Sequence, residues 1–316
     1  MYAPPRDALH YLRARRINRA YSAQYAAARA EFGSQGERLS IPSLQDVGVR
    51  HLTGPEAEPW VQLPGDWNSR VSRIASAADA AFAQVSNCRF LPPIDRGAAI
   101  PERTADVPAV QRGEVISLQL RAPENLPDLE DVAQTILPQI ETHVYGAHVI
   151  VDKIYVYRNL VARQREQVSW LWHYDNHPTQ LLKVMVYLTP VDAERAPFEY
   201  IRHTESGKPL MFDPYPLLGN SRVSHDRVSS YFENGYAVAR VVGPAGTVVL
   251  FDDNVLHRAT LARTAHRDVL VFQIRPAAFR PESYIAPQWT GSFGHDDFNQ
   301  DPTDYAAHAK RRMLSA

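Results

Sequence analysis

Cysteine is almost absent from this chain: Cys88 is the only one in 316 residues. One thiol excludes an internal disulfide framework and a thiolate metal cage, and it fits a protein of the reducing cytoplasm. Long apolar runs are missing as well. Nothing approaches the length of a signal-peptide core or a membrane span, so no membrane role is expected. Nor does charge of one sign dominate. Thirty-four Lys and Arg against thirty-five Asp and Glu leave a net charge of −1, too little to hold a phosphate backbone or an anionic membrane. A small-molecule substrate is expected, and nucleic acid is not. There is no internal repeat. What the chain does have is apolar bulk, since a 45% hydrophobic content over this length fills one large core.

The first part, 1–146, reads as mainly helical. Residues 6–32 are rich in Ala and Arg, with Leu9, Leu12, Ile17, Tyr21 and Tyr25 roughly along one side, and the helix should end before Gly33. Residues 69–87 place Val71, Ile74, Ala78, Phe82 and Val85 at helical spacing, and 129–146 repeats the pattern with Pro138 expected to kink it. From residue 147 the period changes to short β-branched and aromatic runs: 148–159, 167–175, 181–191, 198–203, 236–242, 246–253 and 268–276. Seven closely spaced strands predict a sandwich or jelly roll over 147–276. The stretch 206–235 is too long for a plain turn and reads as an insertion, while 277–316 is a polar C-terminal extension. All of it, 1–316, is expected to form a single domain. The helical first third and the C-terminal tail are candidate contacts for a homodimer.

The run "WLWHYDNHP" at 170–178 carries the chemistry. If it is a strand, His173 and Asp175 emerge on one face and Trp170 and Trp172 go to the core on the other. One His and one carboxylate need a third donor to hold a divalent transition metal, and "FDDNVLHRA" supplies His257. Two His and a carboxylate make a facial triad, which leaves the opposite positions open. Ten residues further on, Arg267 opens the next strand, where its planar fork suits a carboxylate; Arg275 is the alternative with the same parity. Lys183, Met185 and Tyr187 share one strand face, as do Lys153, Tyr155 and Tyr157. Lys183 and Tyr155 are therefore candidate co-substrate contacts, and Asn176, His177 and Tyr187 candidate substrate contacts.

These residues resemble the iron(II)- and 2-oxoglutarate-dependent oxygenases, most closely the phytanoyl-CoA dioxygenase-like branch. The matching features are His173-x-Asp175, the following "LLKVMVYLTPVD", "GPAGTVVLFDDNVLHRA" leading to His257, and Arg267 beyond it. The resemblance covers roughly 147–276. It implies an α+β protein with a cupin-like double-stranded β-helix, or jelly roll, and N-terminal helices packed on it. It further implies Fe(II) held by His173, Asp175 and His257, with 2-oxoglutarate and O₂ as co-substrates and Arg267 on the far carboxylate of 2-oxoglutarate. No catalytic residue beyond the metal ligands is required. The implied reaction oxidises an aliphatic C–H of a small or medium metabolite and releases succinate and CO₂; with Asp175 present, hydroxylation is favoured over halogenation. The region "AERAPFEYIRHTESG" lacks the glycines common in that branch, so an acyl-CoA substrate is not implied.

Other readings of the same residues stay open. The three ligands could hold Zn²⁺ in a hydrolase, or never converge in a jelly-roll binding module. A second H-x-D frame at His295 and Asp297 lies in a Gly- and Asp-rich stretch expected to be a surface loop. A third frame, His203 and Glu205, falls on a turn.

Overall fold

Two antiparallel sheets face each other in the computed structural model, which describes residues 5–34, 44–94, 101–163, 170–175, 177–212 and 221–285. The larger sheet contains β1 (Val49–His51), β2 (Cys88–Leu91), β3 (Ser117–Leu120), β4 (His148–Asn159), β5 (Leu182–Tyr187), β8 (Val248–Asp252) and β10 (Arg267–Ala277), in the order β1-β8-β5-β10-β4-β3-β2. The smaller sheet is β7-β6-β9, from β6 (Phe198–His203), β7 (Tyr236–Val241) and β9 (His257–Ala259). After residue 147 the chain passes repeatedly between the two sheets, which fits the jelly-roll core expected from the sequence. Six of the seven expected strands form, within a residue or a few of their expected ends. The N-terminal part is less purely helical than expected, because β1, β2 and β3 extend both edges of the larger sheet.

Strand alternation gives the larger sheet two apolar faces. Leu182, Val184, Val186, Leu270, Phe272 and Ile274 belong to the core shared with helices α2 (Trp67–Phe82) and α4 (Leu129–Ile140). Helix α2 buries Trp67, Val71, Ile74, Ala78 and Phe82, a 4-3-4-4 spacing that puts them on one side. Burying each large apolar side chain contributes about 2 kcal/mol. Met185, Tyr187, Val249, Phe251, Val269 and Val271 point the other way and meet Phe198, Tyr200 and Val241 of the smaller sheet. The candidate site residues His257 and Arg267 belong to β9 of the smaller sheet and β10 of the larger one.

Helix α1 (Pro5–Ser34) runs through Gly33, past its expected end, and donates from the Tyr25 hydroxyl to the carbonyl of Tyr145 at 2.7 Å. The short α3 (Pro108–Gln111) follows β2. Pro138 sits in the last turn of α4, and three residues on the chain widens into a π-helical turn over Glu141–Tyr145 that Gly146 ends at φ 55°. The change of pitch there turns Glu141 inward, where its carboxylate accepts from the Tyr284 hydroxyl at 2.9 Å and from the backbone N–H of Val149 at 2.9 Å.

The insertion read at 206–235 contributes helix α5 (His225–Glu233), capped by the Ser224 side chain. Its flanks pair back onto the core, with Met211 bridged to Val255 and Arg222 to His173. The second H-x-D frame, His295 and Asp297, and most of the C-terminal extension lie outside the described residues.

On the outer side of the smaller sheet, buried Glu199 faces Arg240 of β7 and Arg258 of β9, at 2.5 and 2.9 Å from their Nε atoms. Arg258 also lies over the Trp172 ring at 4.5 Å. Glu199→Ala is expected to cost about 2 kcal/mol in urea unfolding. That is below the usual range for breaking a buried pair, because Arg240 is largely exposed and regains water.

Candidate metal centre

His173 does not lie on a regular strand. Residues 171–172 bend, and His173 forms isolated bridges to His257 on one side and Arg222 on the other. Its expected strand, 167–175, is overturned: the part within the described residues, 170–175, makes only single-residue pairings. The physical reason is that the register is not kept on either side of His173: the chain bends at 171–172, and the N–H of Asp175 bonds Asp253 where a continued antiparallel ladder would place Val255. The two histidines exchange both backbone hydrogen bonds, at 2.9 and 2.8 Å. Residues directly opposite in an antiparallel pair put their side chains on the same face. The imidazole centroids are accordingly 4.3 Å apart. Asp175 is brought in by its own N–H, which donates to the carbonyl of Asp253 at 2.7 Å.

Nε2 of His173 lies 3.7 Å from Oδ1 of Asp175, and Nε2 of His257 lies 3.7 Å from Oδ2. These three donor atoms lie within 4.8 Å of one another. Each imidazole has its tautomer set by the main chain. Nδ1–H of His173 donates to the carbonyl of Leu171, and Nδ1–H of His257 to that of Val255, both at 2.8 Å. A carbonyl only accepts, so Nε2 of each ring keeps its lone pair towards Asp175. Burial, then the neighbouring His257 ring, pushes His173 down to about 3, and burial also lowers His257. Burial opposes ionisation of Asp175, but Lys183 and the surrounding histidines outweigh it and hold the carboxyl well below its usual range. The set is two neutral imidazoles and one carboxylate.

Lys183 projects from β5 into this cluster. Its ammonium is 2.5 Å from Oδ2 of Asp175 and 3.5 Å from Oδ1 of Asp253. His177 is buried, with Nδ1 bonded to the other oxygen of Asp253. Asn254 clamps the backbone of His177, accepting from its N–H at 3.2 Å and donating to its carbonyl at 3.0 Å. Asp175, His177 and Asp253 thus form a second group of donor atoms beside the first.

Arg267 opens β10 and is buried, with its guanidinium carbon 6.0 Å from the Tyr187 ring centroid. Its Nε and Nη1 have no hydrogen-bond partner among the described residues. Burial lowers its pKa, with Tyr187 opposing. Arg275 is different, since its Nε donates to Asp152 at 3.0 Å. The Tyr187 hydroxyl donates to the carbonyl of Val241 at 2.8 Å and accepts from the N–H of Phe198 at 3.3 Å, so Tyr187 is a packed neighbour of Arg267. Tyr155 and Tyr157 stack at 5.5 Å and remain half-buried. Trp170 and Trp172 are buried as expected, Trp172 with Tyr174, Ile201 and Leu256. His203 and Glu205 sit at the end of β6 and in the following turn, and Glu205 is exposed. Asn176 lies outside the described residues.

Sequence reasoning did not pick out Asp252, Asp253, Asn254 or Arg222. Two adjacent acids directly after the apolar run of β8 were the available signal, because carboxylates buried at a strand end need partners. Asp252 accepts from the N–H of Asn254 at 2.7 Å, while its Oδ2 has no hydrogen-bond partner among the described residues. Burial pushes its carboxyl up to about 7. A raised folded-state value means the associated stability is present below about pH 4 and lost as pH rises through about 7. Asp252→Asn is therefore expected to stabilise the protein at pH 8 relative to wild type by up to about 4 kcal/mol, with the gain vanishing near pH 4. Urea unfolding at the two pH values measures it.

No family model matches the sequence, and no curated protein matches it. Solved structures do. The non-haem α-ketoglutarate-dependent epimerase SnoN from nogalamycin biosynthesis aligns over 80% of this chain and 90% of its own, at 15% identity and a TM-score of 0.47. The chain is similar in structure to 2-oxoglutarate-dependent non-haem enzymes. EctD from S. alaskensis, solved with 2-oxoglutarate and 5-hydroxyectoine, aligns over 82% of this chain and 93% of its own, at 14% identity and 0.45. HygX from Streptomyces hygroscopicus, with nickel, 2-oxoglutarate and hygromycin B bound, aligns over 75% and 86%, at 14% and 0.43. Similarity at this level leaves the chemistry to be read from the side chains. No helix among the described residues is long and apolar enough to cross a membrane.

Proposed function

We propose that the protein is a non-haem Fe(II)- and 2-oxoglutarate-dependent oxygenase that oxidises, most simply hydroxylates, an aliphatic C–H of a small or medium metabolite. The observation that carries this reading is a pair of features. Three donors of the facial-triad type converge, and a buried arginine has two nitrogens, Nε and Nη1, without hydrogen-bond partners among the described residues. A buried guanidinium whose only side-chain acceptor among the described residues is the Tyr187 hydroxyl calls for an anion. A dicarboxylate co-substrate supplies one.

His173, Asp175 and His257 would hold the iron, and Arg267 would take the far carboxylate of 2-oxoglutarate through its guanidinium N–H groups. Bound Fe(II) and 2-oxoglutarate supply O₂ activation coupled to decarboxylation to succinate and CO₂. The chain contributes position. The carbonyls of Leu171 and Val255 fix the two imidazole tautomers. Phe198 and Phe251 pack against the His257 ring at centroid distances of 5.3 and 5.6 Å and keep water from that side. Tyr155 and Tyr157 offer a stacked aromatic wall on β4. Lys183 is already engaged by two carboxylates, so it contributes through Asp175 and not as a free contact to 2-oxoglutarate.

Anaerobic addition of Fe(II) and 2-oxoglutarate to the apo-protein tests the reading. A weak visible charge-transfer band should appear, and admitting O₂ should release succinate. Absence of the band with tight Zn²⁺ binding would point instead to a metal-dependent hydrolase, and absence of any metal binding to a jelly-roll binding module.

A further inference from the structure

Lys183 stands where a second metal ion would stand. Its ammonium lies between Asp175, at 2.5 Å, and Asp253, at 3.5 Å. These two carboxylates and His177 are themselves a group of donors with metal-site spacing. Asp253 is fully buried, and its Oδ1, the oxygen nearest the ammonium, has no hydrogen-bond partner among the described residues. Its other oxygen is bound to Nδ1 of His177. The cluster is held in place by the main chain. The N–H of Asp175 bonds to Asp253, and Asn254 holds His177 by two hydrogen bonds. A buried carboxylate and a partly buried one fixed so closely call for a cation.

We propose that Asp175, His177 and Asp253 form a second cation site whose resident cation is the Lys183 ammonium, so that Lys183 limits the centre to one metal ion. Asp175 belongs to both groups. Its Oδ1 faces His173, while its Oδ2 lies near both His257 and the Lys183 ammonium. Replacing the ammonium with a neutral side chain leaves two carboxylates, one of them fully buried, and an imidazole without their cation. A divalent ion with affinity for oxygen and nitrogen donors then becomes the natural counter-charge. Lys183 acts through Asp175 and is a positioning residue.

The proposal rests on the oxygenase reading only for the first equivalent of metal, and the test separates the two. Wild type, Lys183→Met and Lys183→Gln are dialysed anaerobically against Co(II), and bound metal per chain is measured, with circular dichroism to confirm folding. Lys183→Gln keeps a hydrogen-bond donor for Asp175 and stands in if the methionine variant does not fold. One ion in wild type and two in either variant is the expected result. Adding Asp253→Asn to the variant should remove the second ion. Equal stoichiometry in wild type and variants, or two ions in wild type, overturns the proposal and leaves the oxygenase reading intact. No ion in wild type but one in the variant supports the proposal and sinks the oxygenase reading, whereas none in any protein overturns both.

Discussion

Arg267→Met is expected to raise the dissociation constant for 2-oxoglutarate about 100-fold, close to 3 kcal/mol, while the ligand-free protein becomes more stable. The two effects have one cause. In the absence of ligand the guanidinium is buried with Nε and Nη1 unpartnered among the described residues, so the folded chain carries a desolvation cost of about 1–3 kcal/mol that a methionine of similar reach does not. A dicarboxylate relieves that cost when it binds. Thermal melts with and without 2-oxoglutarate should show a higher baseline melting temperature in the variant and almost no ligand-induced rise. A variant with wild-type affinity for 2-oxoglutarate would remove Arg267 from the co-substrate site.

Asp175→Ala should abolish the Fe(II)·2-oxoglutarate band and also destabilise the fold by about 3 kcal/mol. Metal binding fails because two imidazoles alone make a poor facial set. Stability falls because Lys183, mostly buried, loses its carboxylate partner at 2.5 Å and keeps only Asp253 at 3.5 Å. Lys183 is held charged by both acids against the opposing effect of burial. Asp175→Asn, which retains the shape without the charge, should lose the band to the same degree. Iron affinity near wild type in Asp175→Ala would show that the metal binds elsewhere.

Much of the molecule could be read from residue order because its determinants are local. The periods of 71-74-78-82 and of 182-184-186 give a helix face and a strand face without any knowledge of neighbours. His173, Asp175, His257 and Arg267 stood out because imidazoles, a carboxylate and a guanidinium beside apolar runs are costly without a task. The segment around His173 defeated the same reasoning. Alternation of bulky residues over 170–175 suggests a strand, but a strand exists only where a partner keeps register with it, and here the chain bends at 171–172 and Asp175 bonds Asp253 out of register with the His173–His257 pair.

The sequence alone therefore determined the helices α1, α2 and α4, six of the strands after residue 147, their apolar faces and the candidate ligands His173, Asp175 and His257 with Arg267. Tertiary structure decided which charges meet. Lys183 and Asp253 are 70 positions apart and belong to no common motif, yet cross-strand pairing of β5 with β8 brings Lys183 opposite Phe251, two residues before Asp253. Pairing across a sheet is set by register and by the closure of the two sheets on each other, which are properties of the whole chain. Arg222 reaches His173 by the same route, from an insertion whose residue types gave no sign of it.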